Sequence, residues 1–229
     1  MPSNSVLYTN DVKTKVLLVC GVIAGPLFTL AWIVAGATRG NYNPLRHPIS
    51  SLSIGDAGWT QAATFIITGL LMLGFAFGLR RIPRIREGST WGPILIGAIG
   101  IGLLGAGIFV TDPMNGYPPG TPDLLLQYSL PGRLHRLFSA LVFLGLPGGC
   151  FVFARLFAKW GERKWSIYSV GTGIAFLVMF IVTSAGFVQV EGLADYAGLF
   201  QRTHHRLGLA NPAPHLSAEC AREIAMSRR

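Results

Sequence analysis

Six polar residues at the ends of apolar runs could carry chemistry in this sequence. They are His47, Ser50, Asp56, Asp112, His135 and Arg202. Imidazole and carboxylate groups are zinc ligands, so His47, Asp112 and His135 could hold a divalent metal that activates water. The same three residues, together with Ser50 as nucleophile, could instead form a Ser–His–Asp relay.

Two interpretations without catalysis are also open. The sequence contains no HExxH, GxSxG or HxxxH pattern, so neither catalytic site has a diagnostic spacing. All six residues could line a polar pocket that binds a lipid headgroup or a small amphiphile. Alternatively, Ser50, Ser53 and Asp56 could cap helices or turns. Asp112, expected at a helix C-terminus where the dipole disfavours a carboxylate, could then pair with Arg133 or Arg136.

The elements that must position these residues are five long runs without Asp, Glu, Lys or Arg. They cover residues 16–38, 57–79, 88–111, 137–154 and 165–190. An α-helix needs about 20 apolar residues to cross the hydrocarbon core, and helices satisfy their own backbone groups in lipid. Only 13% of the residues are charged, against about 25% in soluble domains. The sequence therefore predicts an all-α, multi-pass transmembrane helical bundle with five clear spans.

The basic residues predict the orientation of this bundle. Ten Lys and Arg residues flank one set of span ends and four flank the other, which predicts a cytoplasmic N-terminus in the cell (inner or plasma) membrane. The six polar residues would then lie on the outer side. We attribute the net charge of +9 to topology and to lipid headgroups. The expected partners are therefore membrane lipids and a small amphiphilic ligand, and not nucleic acid.

Four stretches carry a resemblance to a known family. They are HPISSLSIGDAGWTQAATFIITGLLMLGFAFGLRR, GIFVTDP, GRLHRLFSALVFLGLP and GLFQR. Over roughly residues 15–202 the chain resembles the bacterial membrane family called domain of unknown function 998. The resemblance implies a six-helix integral membrane protein whose activity is unassigned. Its recurrent polar positions correspond here to His47, Ser50, Asp112, Pro113, His135 and Arg202.

The chain departs from this resemblance after GLFQR, because no sixth apolar run follows. We therefore expect a transmembrane bundle over residues 1–202 and a polar tail over 203–229. Within the tail, Ser217–Arg229 could form a short helix or be disordered.

The sequence favours an uncharacterised membrane protein whose outer polar pocket binds a lipid headgroup or small amphiphile. The alternative is a metal- or serine-dependent membrane-embedded hydrolase. A transporter ranks last because the charge-free runs place no ionisable residue at mid-depth. No cofactor is expected, except a divalent metal such as zinc under the hydrolase alternative. The oligomeric state is left open.

Overall fold

The computed structural model describes residues 12–209, with side chains as far as Thr203. This part of the chain contains α-helices and two short 3-10 helices, and no β-strand. The α-helices are α1 Val12–Thr38, α2 Gly58–Arg80, α3 Pro83–Gly88, α4 Trp91–Ile108, α5 Leu130–Lys159, α6 Arg163–Phe187 and α7 Ala197–Leu209. The 3-10 helices are Ile49–Ser53 and Ala194–Tyr196. The all-α prediction is confirmed.

Five of these helices, α1, α2, α4, α5 and α6, are long and apolar enough to cross a membrane. The prediction of five spans is therefore confirmed. Helix α7 has 13 residues and is about 20 Å long at 1.5 Å per residue, too short to cross the hydrocarbon core. It continues past residue 202, where the sequence placed the end of the bundle. The rest of the predicted tail, including Ser217–Arg229, lies outside the described residues.

The spans pack in the order of the chain. Helix α1 packs on α2, α2 on α4, α4 on α5, α5 on α6 and α6 on α7, whereas α1 packs along neither α5 nor α6. Glycines allow the closest approaches: a Cβ on Gly69 would lie 2.8 Å from the backbone oxygen of Gly100, and one on Gly105 would lie 2.0 Å from the ring of Phe138. In lipid the hydrophobic effect does not drive helices together, so their association depends on the close packing that small residues allow.

Three connections lie on one side of the bundle, which we call the motif side. They are the first loop (39–57), the second loop (109–129) and the third loop (188–196). Arg46 of the first loop joins all three, because it donates to Asp123 at 2.7 Å and to Asp195 at 2.6 Å. The hydrogen bond to Asp123 is the main cause that raises the pKa of Arg46. The opposite side, with links 81–90 and 160–162, we call the basic side.

Candidate functional site

His47 lies in the first loop, in an aromatic cluster. Its ring centroid is 5.1 Å from that of Tyr117 and 5.6 Å from that of Tyr42. The Nδ1 atom accepts a hydrogen bond from the backbone N–H of Asn43 at 2.9 Å, so the neutral ring carries its hydrogen on Nε2. Burial, followed by the charges of Arg46 and Arg202, lowers the pKa of His47. The imidazole is therefore neutral at pH 7.

Arg202 reaches this loop from α7 and is buried. Its guanidinium donates to the carbonyl oxygens of Gly198 at 2.7 Å and His47 at 3.2 Å, and to the Tyr42 hydroxyl oxygen. It also lies over the ring of Trp32, 5.1 Å from the centroid. No described carboxylate pairs with it. Burial lowers the pKa of Arg202, but a guanidinium stays protonated in proteins, so the loop holds a buried cation.

Tyr42 completes the hydrogen bonds around this cation. Burial raises its pKa to about 12, although the charge of Arg202 opposes the shift. The phenol therefore keeps its hydrogen and donates it to the carbonyl oxygen of Pro48 at 3.0 Å. The hydroxyl oxygen of Tyr42 in turn accepts a hydrogen bond from Arg202. A neutral tyrosine thus links the buried arginine to the backbone of the first loop.

The neighbours of Arg202 in GLFQR also bind the first loop. The Oε1 atom of Gln201 accepts from the backbone N–H of Ile49 at 2.8 Å. A Cβ on Gly198 would lie 2.6 Å from the carbonyl oxygen of His47 and 2.7 Å from that of Pro44, so this position requires glycine. We call residues 42–49 together with 198–202 the loop joint. It brings together the HPIS and GLFQR stretches, which are about 150 residues apart in the chain.

The sequence predicted that Asp112 lies at a helix C-terminus. This prediction is wrong, because α4 ends four residues earlier, at Ile108. Its carboxylate accepts from the backbone N–H of Ser129 at 3.0 Å and from the Ser129 hydroxyl at 2.5 Å. Ser129 is the N-cap of α5, and its Oγ accepts from the N–H of Gly132. Asp112 therefore lies at a helix N-terminus, where the dipole favours a carboxylate.

The proposed pairing of Asp112 with arginine is not found in the described part of the chain. Neither Arg133 nor Arg136 forms an ion pair there, and Arg136 instead lies 4.2 Å from the ring centroid of Tyr128. A Cβ on Gly132 would lie 1.9 Å from the Oδ2 atom of Asp112. The glycine of GRLH is therefore required by the aspartate of TDP.

His135 lies in the second turn of α5 and is buried. Its Nδ1 atom is 3.0 Å from the carbonyl oxygen of Ala106 and 2.8 Å from that of Phe109. Carbonyl oxygens only accept, so Nδ1 carries the hydrogen and Nε2 is an acceptor. These carbonyls belong to the end of α4, where intrahelical partners are missing. We call the paired capping by Asp112 and His135 the helix joint.

A cavity of about 300 Å³ lies between α1, α2, α4 and α5, with α7 contributing at one end. Most of its lining is apolar, from side chains such as Phe28, Phe65, Phe75, Ile99 and Leu103. Its uncharged polar residues are Ser50, Thr68, His135, Ser139 and Gln201. No charged residue lines the cavity.

The structure separates the six predicted site residues into different places. Ser50 and His135 line the cavity, His47 and Arg202 form the loop joint, and Asp112 bonds to Ser129. The remaining residue, Asp56, is exposed and has no hydrogen bond or ion pair with the described residues.

Neither predicted catalytic arrangement is assembled in the described part of the chain. No group of three His, Cys, Asp or Glu residues is placed to hold a metal there. His47 belongs to the loop joint, Asp112 bonds to Ser129 and the Nδ1 atom of His135 bonds to backbone carbonyls of α4. The Ser–His–Asp relay is not formed either. Asp112 bonds to Ser129 and not to an imidazole, and the Nδ1 atom of His135 faces backbone carbonyls.

Three polar residues of the cavity, Thr68, Ser139 and Gln201, were missed from the sequence. Gln201 stands next to Arg202 in the GLFQR stretch, so its membership of that motif was the available signal. Ser139 lies one helical turn after His135 and thus on the same face of α5, which was a further signal. Gly198 and Gly132 belong to the quoted motifs GLFQR and GRLH. That no Cβ fits at either position is visible only in the packing of the structure.

The comparison with known families covers the same motifs. The family described as "Protein of unknown function (DUF998)" matches residues 22–210, which include the HPIS, TDP, GRLH and GLFQR stretches. The chain matches no curated protein and no solved structure. The family match covers both joints and all residues that line the cavity except Gly21. The chain therefore belongs to the DUF998 family of proteins of unknown function.

Proposed function

We propose that this membrane protein binds an uncharged, hydroxyl-bearing amphiphile with a single aliphatic chain in the cavity between α1, α2, α4 and α5. The observation that carries the proposal is a convergence of motifs. The HPIS stretch contributes Ser50, GRLH contributes His135 and GLFQR contributes Gln201 to one otherwise apolar cavity. A volume of about 300 Å³ is at the lower end of the usual range for small-molecule sites.

The polar groups decide which amphiphile fits. Lipid tails are as apolar as the cavity wall, so moving an aliphatic chain from the bilayer gains little hydrophobic free energy. The Nε2 atom of His135 is an acceptor without a hydrogen bond in the described part of the chain, and Ser139 next to it offers a hydroxyl. A ligand hydroxyl can donate to the imidazole and accept from the serine at once.

An uncharged head fits this lining better than an ionic one. Burying a charge in an apolar site without a partner is costly, and no charged side chain lines the cavity. Arg202 follows Gln201 in the chain, but its guanidinium is engaged by Tyr42, Trp32 and backbone carbonyls. An anionic headgroup would therefore find no counter-ion inside.

The arrangement of helices supports entry from the bilayer. Helices α1 and α5 both line the cavity but do not pack along each other. Val22 of α1 lines the cavity and is 40% exposed, and Ser139 of α5 is partly exposed. A chain-like molecule can thus pass between α1 and α5 without entering water.

The test is a binding titration with 1-monooleoylglycerol on the purified full-length protein, followed by native mass spectrometry. We expect one bound molecule, and at least about tenfold weaker binding of oleoyl lysophosphatidylglycerol, which has the same chain with an anionic head. Ser139→Leu replaces the hydroxyl next to His135 by an isobutyl group that occupies part of the cavity, and should abolish binding. The matched control is Ser184→Leu on α6, a helix that does not line the cavity. Equal binding by both variants, or preference for the anionic lipid, would contradict the proposal.

A further inference from the structure

A second cavity lies on the basic side, remote from both joints. It has a volume of about 270 Å³ and lies between the start of α4 and the end of α5. Its lining residues are Gly88, Ser89, Thr90, Trp91, Val152, Arg155, Leu156 and Lys159. The mixture of cationic, hydroxyl and aromatic side chains differs from the apolar wall of the first cavity and indicates a different ligand.

Two cationic side chains on α5 face this cavity. Arg155 and Lys159 are four residues apart and therefore lie on the same face of the helix. The acidic residues of the adjacent links are Glu87 and Glu162, and neither forms an ion pair with them. Within the described residues the positive charge of this cavity is thus not neutralised.

The opposite wall adds hydrogen-bond donors. Thr90 is the N-cap of the 18-residue helix α4, and its side chain makes no capping bond. The Oγ atom of Ser89 accepts from the backbone N–H of Gly92 at 3.3 Å, which leaves the Ser89 hydroxyl hydrogen available to donate. The N-terminus of α4 also contributes the positive end of the helix dipole. Two cations, two hydroxyls and a helix dipole all favour an anion.

The aromatic residues indicate the depth of this cavity. Trp91 lines it and is 66% exposed, and Trp160 lies beside it under the guanidinium of Arg84, 4.3 Å from the ring centroid. Tryptophan is enriched at the level of the lipid headgroups. The cavity therefore lies at the depth where the phosphates of one leaflet are found.

We propose that this cavity binds a phosphate group, supplied by the headgroup of an anionic phospholipid. The guanidinium of Arg155 pairs with two phosphate oxygens in its planar fork, and Lys159 adds a second charge. The hydroxyls of Ser89 and Thr90 donate to the remaining oxygens, and the acyl chains extend from the mouth into the bilayer. This site shares no lining residue with the first cavity, so it does not depend on the function proposed above.

The experiment titrates purified full-length protein with dioleoyl phosphatidylglycerol and, separately, with dioleoylglycerol, which has the same chains and no phosphate. Inorganic phosphate forms a third arm. The test variant is Arg155→Gln/Lys159→Gln. Its matched control, Arg163→Gln/Lys164→Gln, removes the same charge from the basic side at positions that do not line the cavity.

We expect the test variant to lose at least about tenfold in affinity for phosphatidylglycerol, and the control to change less than about threefold. Diffuse attraction to a charged surface does not depend on the particular residues, so it would lower the affinity of both variants equally. Equal losses in both variants would overturn the site. Equal binding of dioleoylglycerol would overturn the role of phosphate. Binding of inorganic phosphate that depends on Arg155 and Lys159, without lipid binding, would keep the site and replace the lipid by free phosphate as its ligand.

Discussion

Replacing Gly132 by alanine tests whether Asp112 and α5 are coupled as the helix joint requires. The added Cβ would lie 1.9 Å from the Oδ2 atom and 2.4 Å from the Cγ atom of Asp112, so the carboxylate has to move away. Moving it breaks the two hydrogen bonds that it accepts from Ser129. The α5 cap and the end of the second loop then lose their connection.

The size of the effect follows from these bonds. A hydrogen bond to a charged group contributes about 1.5–3 kcal/mol when buried, and Asp112 is only partly buried, so about 3 kcal/mol for both bonds is a suitable estimate. Replacing glycine by alanine within a helix raises the free energy of unfolding by about 1 kcal/mol, which offsets part of this loss. We therefore expect Gly132→Ala to reduce the free energy of unfolding by about 2 kcal/mol.

The assay is a double-mutant cycle on the free energy of unfolding, measured by titrating the detergent-solubilised protein with sodium dodecyl sulfate. In an Asp112→Ala background the clash disappears, and Gly132→Ala should stabilise by up to about 1 kcal/mol. Gly149→Ala on the same helix is the matched control, because nothing lies within 4 Å of its added Cβ. The reasoning is refuted if Gly132→Ala costs the same with and without Asp112.

Three further predictions concern the loop joint and use the same unfolding measurement. Arg202→Lys should cost at least about 2 kcal/mol, because an ammonium group cannot keep the fork of hydrogen bonds to two carbonyls and a phenol; full stability in the lysine variant would show that only the charge matters. Gly198→Ala should cost about 1–3 kcal/mol, because its Cβ meets two backbone oxygens that side-chain motion cannot relieve, whereas Gly171→Ala, with open space around it, should be tolerated. Because the pKa of His47 is lowered in the fold from its ordinary 6.5, the unfolded chain takes up the proton first. The stability that the neutral ring contributes is present above pH 6.5 and declines as the pH falls below it; His47→Gln should flatten this decline, and an unchanged slope would exclude His47 as its cause.

The spans could be predicted because lipid excludes charge. Each charge-free run corresponds to a helix of the structure, but the run 137–154 underestimates α5, which extends from Leu130 to Lys159. The first turns of α5 contain Arg133 and Arg136, which the charge criterion rejects. Ser129 as N-cap and Pro131 in the first turn are signals for the true start, because both are favoured there.

The pairing of the motifs could not be predicted from one sequence. In the contact between the HPIS and GLFQR stretches, the first loop contributes backbone atoms, such as the carbonyl of His47 and the N–H of Ile49. Because every residue type has these backbone atoms, the residue types do not indicate the pairing. The position of Asp112 was predicted wrongly because the apolar run continues to Val110 while α4 ends at Ile108. The residues between Ile108 and Asp112 are therefore not helical, and they place the carboxylate of Asp112 beside Ser129 at the start of α5.

The succession of helix contacts has a consequence for how the protein is made. Every span rests on the one synthesised before it, so each helix can find its neighbour as soon as it leaves the translocation machinery. The first loop, in contrast, cannot form its hydrogen bonds to Gln201 and Arg202 until residues 198–202, near the other end of the described chain, have been synthesised. A chain that stops within α6 would contain four complete spans, α1, α2, α4 and α5, but not residues 198–202. The carbonyl of His47 would then lack its hydrogen bond from Arg202 and could accept one from another donor.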